Sequence, residues 1–167
     1  STDGAPTFKH AEIIISRTEY EFWSGNAAIP DFRGPTRQMF QEIVVPLADR
    51  CRFIEPDASI IEGLTALNAF GHSAGHMAFH VESDGNELMI LSDTIANYAV
   101  SLANLEWQFS MDDNPEMAIE SRKRIVGMAA ASKAPIIAFH MPFPSVGYIE
   151  QSGNSYRWTP ATYQLNL

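Results

Sequence analysis

The chain has 167 residues, 46% of them hydrophobic and 19% charged, and a formal net charge of −9 from eleven Lys and Arg against twenty Asp and Glu. That length fits one domain or a piece of a larger one, and the apolar content is enough to offset the ordering entropy of a packed core, which excludes bulk disorder. The acidic balance lacks the clustered cations that duplex nucleic acid requires, and no apolar run approaches the ~20 residues of a bilayer span. The one basic run, Arg122-Lys123-Arg124, reads as a solvated helix face. A single cysteine, Cys51, excludes an internal disulfide. No signal-peptide pattern opens the chain, and cytoplasm and periplasm both stay open.

In chain order, Ala11 to Ser16 holds three β-branched residues in a row, Ile13 to Ile15, and predicts a short buried strand. Thr18 is placed to cap a brief helix over 19–23. The Gly25–Gly34 stretch reads as loop. Pro35 suits the first position of a second helix, where a missing N–H costs nothing. In it Met39, Phe40, Ile43, Val44 and Leu47 recur at helical spacing and are expected to face a core, with Pro46 kinking or ending the helix. Short strands are predicted over 52–54, 59–61 and 64–70.

Met77 to Glu82 alternates as a strand. Ser83-Asp84-Gly85-Asn86 predicts a hairpin turn, since Asp-Gly favours positive φ. The returning strand, 87–92, is apolar from Leu88 to Leu91, which predicts burial on both faces. Asn114-Pro115 is a cap followed by proline and predicts a helix to about Ser132, with Ala118, Ile125, Met128 and Ala129 as its apolar stripe. Ile136 to Phe139 predicts another buried strand, and residues 146–150 and 156–159 a hairpin. Many strands with a few helices indicate an α/β layered domain.

Three metal-ligand-type residues each stand just past a predicted strand: His72, Asp93 and His140. Strand ends are rigid and the loops beyond them open, so such side chains can converge with little ordering cost. Imidazole nitrogen and carboxylate oxygen suit Zn²⁺ and similar ions. Spacing alone leaves ordinary readings beside this one: a hydrogen-bonded structural histidine, or an aspartate capping a turn. His80, on an apolar strand, reads as structural.

The string Gly71-His72-Ser73-Ala74-Gly75-His76 resembles the Gly-His-Thr-x-Gly-His segment of the metallo-β-lactamase fold. Ser92-Asp93 stands where that family has a strand ending in Gly-Asp, and Phe139-His140 where it has a strand ending in a ligand histidine. Further stretches resemble the subgroup containing methyl parathion hydrolase and quorum-quenching lactonases: Glu21-Phe22-Trp23, His140-Met141-Pro142-Phe143-Pro144, Gly147-Tyr148-Ile149 and Tyr156-Arg157-Trp158-Thr159-Pro160. The resemblance runs from about Ala5 to Tyr163. It implies a metal-dependent hydrolase with two divalent metal ions, zinc by type. His72 would hold one metal and His140 the other. Asp93 would bridge both, as the catalytic carboxylate. His76 would support the loop, and Trp23 and Phe22 would line a substrate pocket, with Trp23 reading equally as a core residue packed under the loop. The chemistry implied is attack by metal-activated hydroxide on an ester, lactone or phosphotriester, with a small molecule as substrate.

The family's His-x-His-x-Asp-His signature is absent: the five histidines are His10, His72, His76, His80 and His140, and no two are separated by one residue. The motif order places Ser1 just after the expected position of that signature. The expected fold is therefore α/β, the C-terminal half of a metallo-β-lactamase αββα sandwich, forming a single partial domain over 1–167. Three ligands do not complete a two-metal site, so the fragment is expected to be inactive and metal-poor. The sheet face bearing Val81, Ile90 and Ile136 would need cover, from a missing N-terminal half or a homodimer partner. The alternative is a non-catalytic remnant acting as a binding or assembly module.

Overall fold

The computed structural model describes residues 6–161, in two compact units divided between Glu55 and Pro56. In the first unit, β1 (Ile13–Ser16) and β2 (Cys51–Ile54) pair in parallel, Ile13 against Cys51 through Ser16 against Ile54. Parallel pairing demands a crossover, and here it is helical: α1 (Arg17–Ser24), α2 (Gly34–Ile43) and a 3-10 segment, Val45–Arg50. The cap of α1 is Ser16, not Thr18. Its hydroxyl accepts from Glu19 N, because β1 runs directly into the helix and its last residue keeps an extended backbone. Pro46 opens the 3-10 segment after α2 has ended. The expected core stripe of α2 is only partly present. Phe40 packs edge-on to Tyr20, which also meets Phe53, whereas Met39 and Ile43 are exposed. A two-stranded sheet with one companion helix can cover only one face of α2.

The second unit is a seven-stranded sheet in sequential order: β3 (Ser59–Ile61), β4 (Leu64–Asn68), β5 (Met77–Ser83), β6 (Asn86–Ser92), β7 (Ile136–Ala138), β8 (Val146–Ser152) and β9 (Ser155–Pro160). Every neighbouring pair is antiparallel except β6 and β7. The parallel pair is joined by a long crossover containing α3 (Val100–Ala103) and α4 (Pro115–Ser132). Asp84 and Gly85 both take positive φ, the turn that matches the right-handed twist of a hairpin. Asn114 caps α4 through its side chain to Met117 N, as its sequence predicts.

One sheet face packs against α4. Met89, Leu91, Ile136, Ala138 and Ile149 meet Ile125, Val126 and Ala129 in a closed core. Three expectations change here. Ile136 is fully buried on this face, because it pairs with Met89 and not with Ile90. β6 is fully buried on one face only: Met89 and Leu91 are inside, while Leu88 and Ile90 on the other face are half-buried, as are Phe79 and Val81. On α4, Met128 is exposed and Arg122 is buried at 3% exposure, so the basic run is not a solvated face throughout. The helix turns 100° per residue, which separates Arg122 from Lys123 and Arg124. Lys123 pairs with Glu106, and Arg124 bonds the carbonyl of Asn68.

Candidate metal centre

Strand direction assembles the site. β6 and β7 run parallel, so their C-terminal ends share one sheet edge. β4 is antiparallel to β5, and β5 to β6, so β4 also ends on that edge. His72, Asp93 and His140 follow β4, β6 and β7 and therefore lie along one edge, with β4 roughly 10 Å from β6 by ordinary strand spacing.

His140 and Asp93 touch. The imidazole Nε2–H donates to Asp93 Oδ1 at 2.9 Å, 47 residues apart in sequence. Both side chains keep access to solvent, at 54% and 27% exposure. The backbone is strained on both sides of this contact. Ser92 has φ +51 and His140 φ +62. The left-handed region costs a non-glycine residue roughly 1–2 kcal/mol. A glycine before Asp93 would carry no such cost, which gives a physical reason for the Gly-Asp pattern that this sequence replaces with Ser92-Asp93. The two strained turns aim carboxylate and imidazole at each other beyond the strand ends.

His76 has a different task. Its Nδ1 lies 2.9 Å from the carbonyl of Ala69 and must donate there. Its Nε2 therefore accepts, and the Asp93 backbone N–H donates to it at 3.1 Å. Both ring nitrogens are spent tying the loop after β4 to the start of the Asp93 turn. That is the supporting role expected of the second histidine.

His72 sits beside His76, with ring centroids 5.5 Å apart, and under Phe109, which stacks on it at an interplanar angle of 17°. Its Nδ1 donates to Asp112 Oδ1 at 3.0 Å. Asp112 in turn accepts from Arg122, and both of those side chains are buried. A contact chain thus runs from Asp112 through His72, His76 and Asp93 to His140. The loop after β4 is held by close backbone approach: Gly71, at φ +122, leaves no room for a Cβ against Ala118 N.

The donor chemistry fits a divalent cation in part. Asp93 offers carboxylate oxygen and His140 imidazole nitrogen within one hydrogen-bond length. His72, protonated at Nδ1, carries its lone pair on Nε2. Among the described residues, no group of three or more His, Cys, Asp or Glu is gathered closely enough to hold a metal unaided. Burial depresses the basicity of Arg122, and the neighbouring Asp112 works against that shift.

Trp23 is buried in the first unit, its Nε1–H donating to Glu19 Oε1 at 2.7 Å, and Phe22 packs edge-on against it. Guanidinium groups of Arg33 and Arg37 lie over the two rings. His80, on β5, lies 3.7 Å from Glu87 across the hairpin. Sequence reasoning missed Asp112 and Arg122. The only signal was a charged residue, Arg122, at i+1 from Ser121 and i−3 from Ile125 on a helix with an otherwise apolar stripe.

Comparison of the sequence with family models and with curated proteins finds no match. Comparison with solved structures finds strong likeness. AidC, a dizinc quorum-quenching lactonase, superposes with a TM-score of 0.88 at 22% identity, over 98% of this chain and 59% of that one. AbOPH, a hydrolase in the beta lactamase superfamily, gives a TM-score of 0.87 at 23% identity, over 98% and 60%. A probable metal-dependent hydrolase from Staphylococcus aureus gives 0.69 at 16% identity, over 96% and 56%. The fold is that of metallo-β-lactamase-superfamily hydrolases, and the chain spans about three fifths of the length of the structures it matches.

Proposed function

We propose that His72, Asp93 and His140 form part of a two-metal hydrolytic centre, whose remaining ligands come from residues outside this sequence. The whole protein would then hydrolyse an ester-, lactone- or phosphotriester-type bond in a small molecule. The observation that carries this is the 2.9 Å contact between Asp93 and His140 at the ends of parallel strands. Metal-dependent hydrolases of the same fold support it. A pair of divalent ions held there, zinc by the nature of the donors, would supply Lewis acidity and lower the pKa of nearby water. The chain's own residues do the positioning. Asp93 follows β6, which stands between β4 and β7 in strand order, and would serve both metals. His76 fixes the Asp93 backbone, and the strained turns at Ser92 and His140 hold donors outward.

The test is Zn²⁺ binding by the full chain, measured by equilibrium dialysis and metal analysis. His140→Ala and Asp93→Ala should each abolish retained zinc, and His72→Ala should weaken it. Retention unchanged in all three defeats the proposal. A second reading, an assembly module that has kept only the fold, draws on the apolar, half-buried face around Phe79, Val81, Leu88 and Ile90. It predicts no zinc together with a stable oligomer in sedimentation. The same face would otherwise be covered by the rest of the sandwich.

A further inference from the structure

We propose, resting on the reading above, that Asp112 and Arg122 are positioning residues for this edge: Asp112 locks His72 as the Nδ1–H tautomer, and Arg122 holds Asp112 and the exit of β6 in one frame. Asp112 Oδ1 accepts from His72 Nδ1 at 3.0 Å, and its Oδ2 accepts from Arg122 Nη2 at 3.3 Å. The two side chains are 2% and 3% exposed. The other guanidinium nitrogens donate to three backbone carbonyls: Nε to Thr94 at 3.1 Å, and Nη1 to Leu105 at 3.0 Å and Trp107 at 2.8 Å. Thr94 is the residue after Asp93. One cation on α4 therefore ties the turn that carries Asp93 to the carboxylate that orients His72.

The arrangement is costly if stability alone is counted. A buried ion pair loses hydration that its mutual attraction only partly returns, and apolar side chains of similar volume commonly serve a core as well. Here Arg122 stands on the buried face of α4, beside fully buried Ile125 and Val126. What it provides is orientation. A carboxylate can only accept, so His72 must hold its proton on Nδ1, which fixes the lone pair on Nε2. Rotation of the ring is limited as well. Phe109 stacks on it, and the backbone around it is pinned by Asp113 N to His72 O at 3.3 Å and Asn114 N to Gly71 O at 2.9 Å.

Asp112→Asn reads this directly. The charged Arg122 takes the amide oxygen, so the amide NH₂ faces His72, whose Nδ1 must then accept, and the proton moves to Nε2. Two-bond ¹⁵N–¹H correlation of the full chain without metal should show His72 as Nδ1–H in the wild type and mainly as Nε2–H in Asp112→Asn. Zn²⁺ affinity, read by competition with a chelator, should fall about 10- to 100-fold in the variant. A wild-type His72 protonated on Nε2 overturns the inference, as does an Asp112→Asn protein that keeps the wild-type tautomer and affinity. The wild-type tautomer is decisive even if the variant fails to fold. Zn²⁺ that leaves every His72 resonance of the wild type unmoved refutes the hydrolytic reading and leaves the tautomer lock to stand or fall by the metal-free spectra.

Discussion

Replacing Gly71 by alanine should be among the most damaging small changes in the second unit. A Cβ there would lie 2.1 Å from Ala118 N and 2.5 Å from Ala118 Cα, both backbone atoms of the first turns of α4, which cannot rotate away. Real contacts do not fall below 3.0 Å, so helix or loop must retreat by nearly an ångström. Forcing that shift on a packed helix costs roughly 1–3 kcal/mol. Holding a residue with a Cβ at φ +122 costs roughly 1–3 kcal/mol more. The expected loss is about 2–6 kcal/mol, or on the order of 10 °C in melting temperature for a chain of this size. Gly85→Ala is the control. Its φ is +75 but nothing lies within 4 Å of the new methyl, so strain alone should cost about 1–2 kcal/mol. Urea denaturation followed by fluorescence and circular dichroism measures both variants, with amide exchange over Ile125–Ala129 assigning the transition to the second unit. If the two variants agree within about 1 kcal/mol, the margin of a single modest contact, the close approach of the loop to α4 is not what sets the position of His72.

Three other outcomes are expected. Arg122→Met leaves Asp112 buried without its cation and should destabilise the second unit by roughly 3–5 kcal/mol in urea denaturation; near-neutrality would show that the pair contributes nothing to folding. Ser92→Gly relieves a left-handed φ and, after the added chain entropy of glycine, should stabilise by roughly 0.5–1 kcal/mol, whereas a loss would mean that Ser92 makes a contact worth more than the strain. Hydrogen bonding to Arg157 holds the Glu150 carboxyl below its ordinary 4.5. A lowered folded-state value adds stability that is present above that pH and fades as pH falls through the folded value. Protection of the β8–β9 amides should therefore drop on acidification below about pH 4.5, less so in high salt, and Glu150→Gln should remove the dependence.

The local elements were largely legible in the sequence because their causes are local. Asn114-Pro115 dictates where α4 begins, Asp84-Gly85 dictates the β5–β6 turn, and alternation marks β5. The errors fall where a neighbour overrides the local pattern. Ser16 displaces Thr18 as a cap because a strand abuts the helix directly. Met39 and Ile43 lie exposed because the first unit has too little surface to cover them. Ile136 is buried against α4 because its register pairs it with Met89. The buried state of Arg122 was marked only by its helical spacing from Ile125, since its partner Asp112 is ten residues away and its carbonyl acceptors belong to an irregular segment.

By itself the sequence determined that His72, Asp93 and His140 each follow a strand, since side-chain alternation and turn chemistry are written into a few consecutive residues. Only the tertiary structure decided that these three ends lie on one edge, because that depends on strand direction, and one parallel pairing among antiparallel neighbours sets it. It also decided the state of each imidazole. Which ring nitrogen carries the proton is governed by the acceptor placed opposite it, Ala69 for His76 and Asp112 for His72, and the fold alone brings Asp112 to its histidine from 40 residues away.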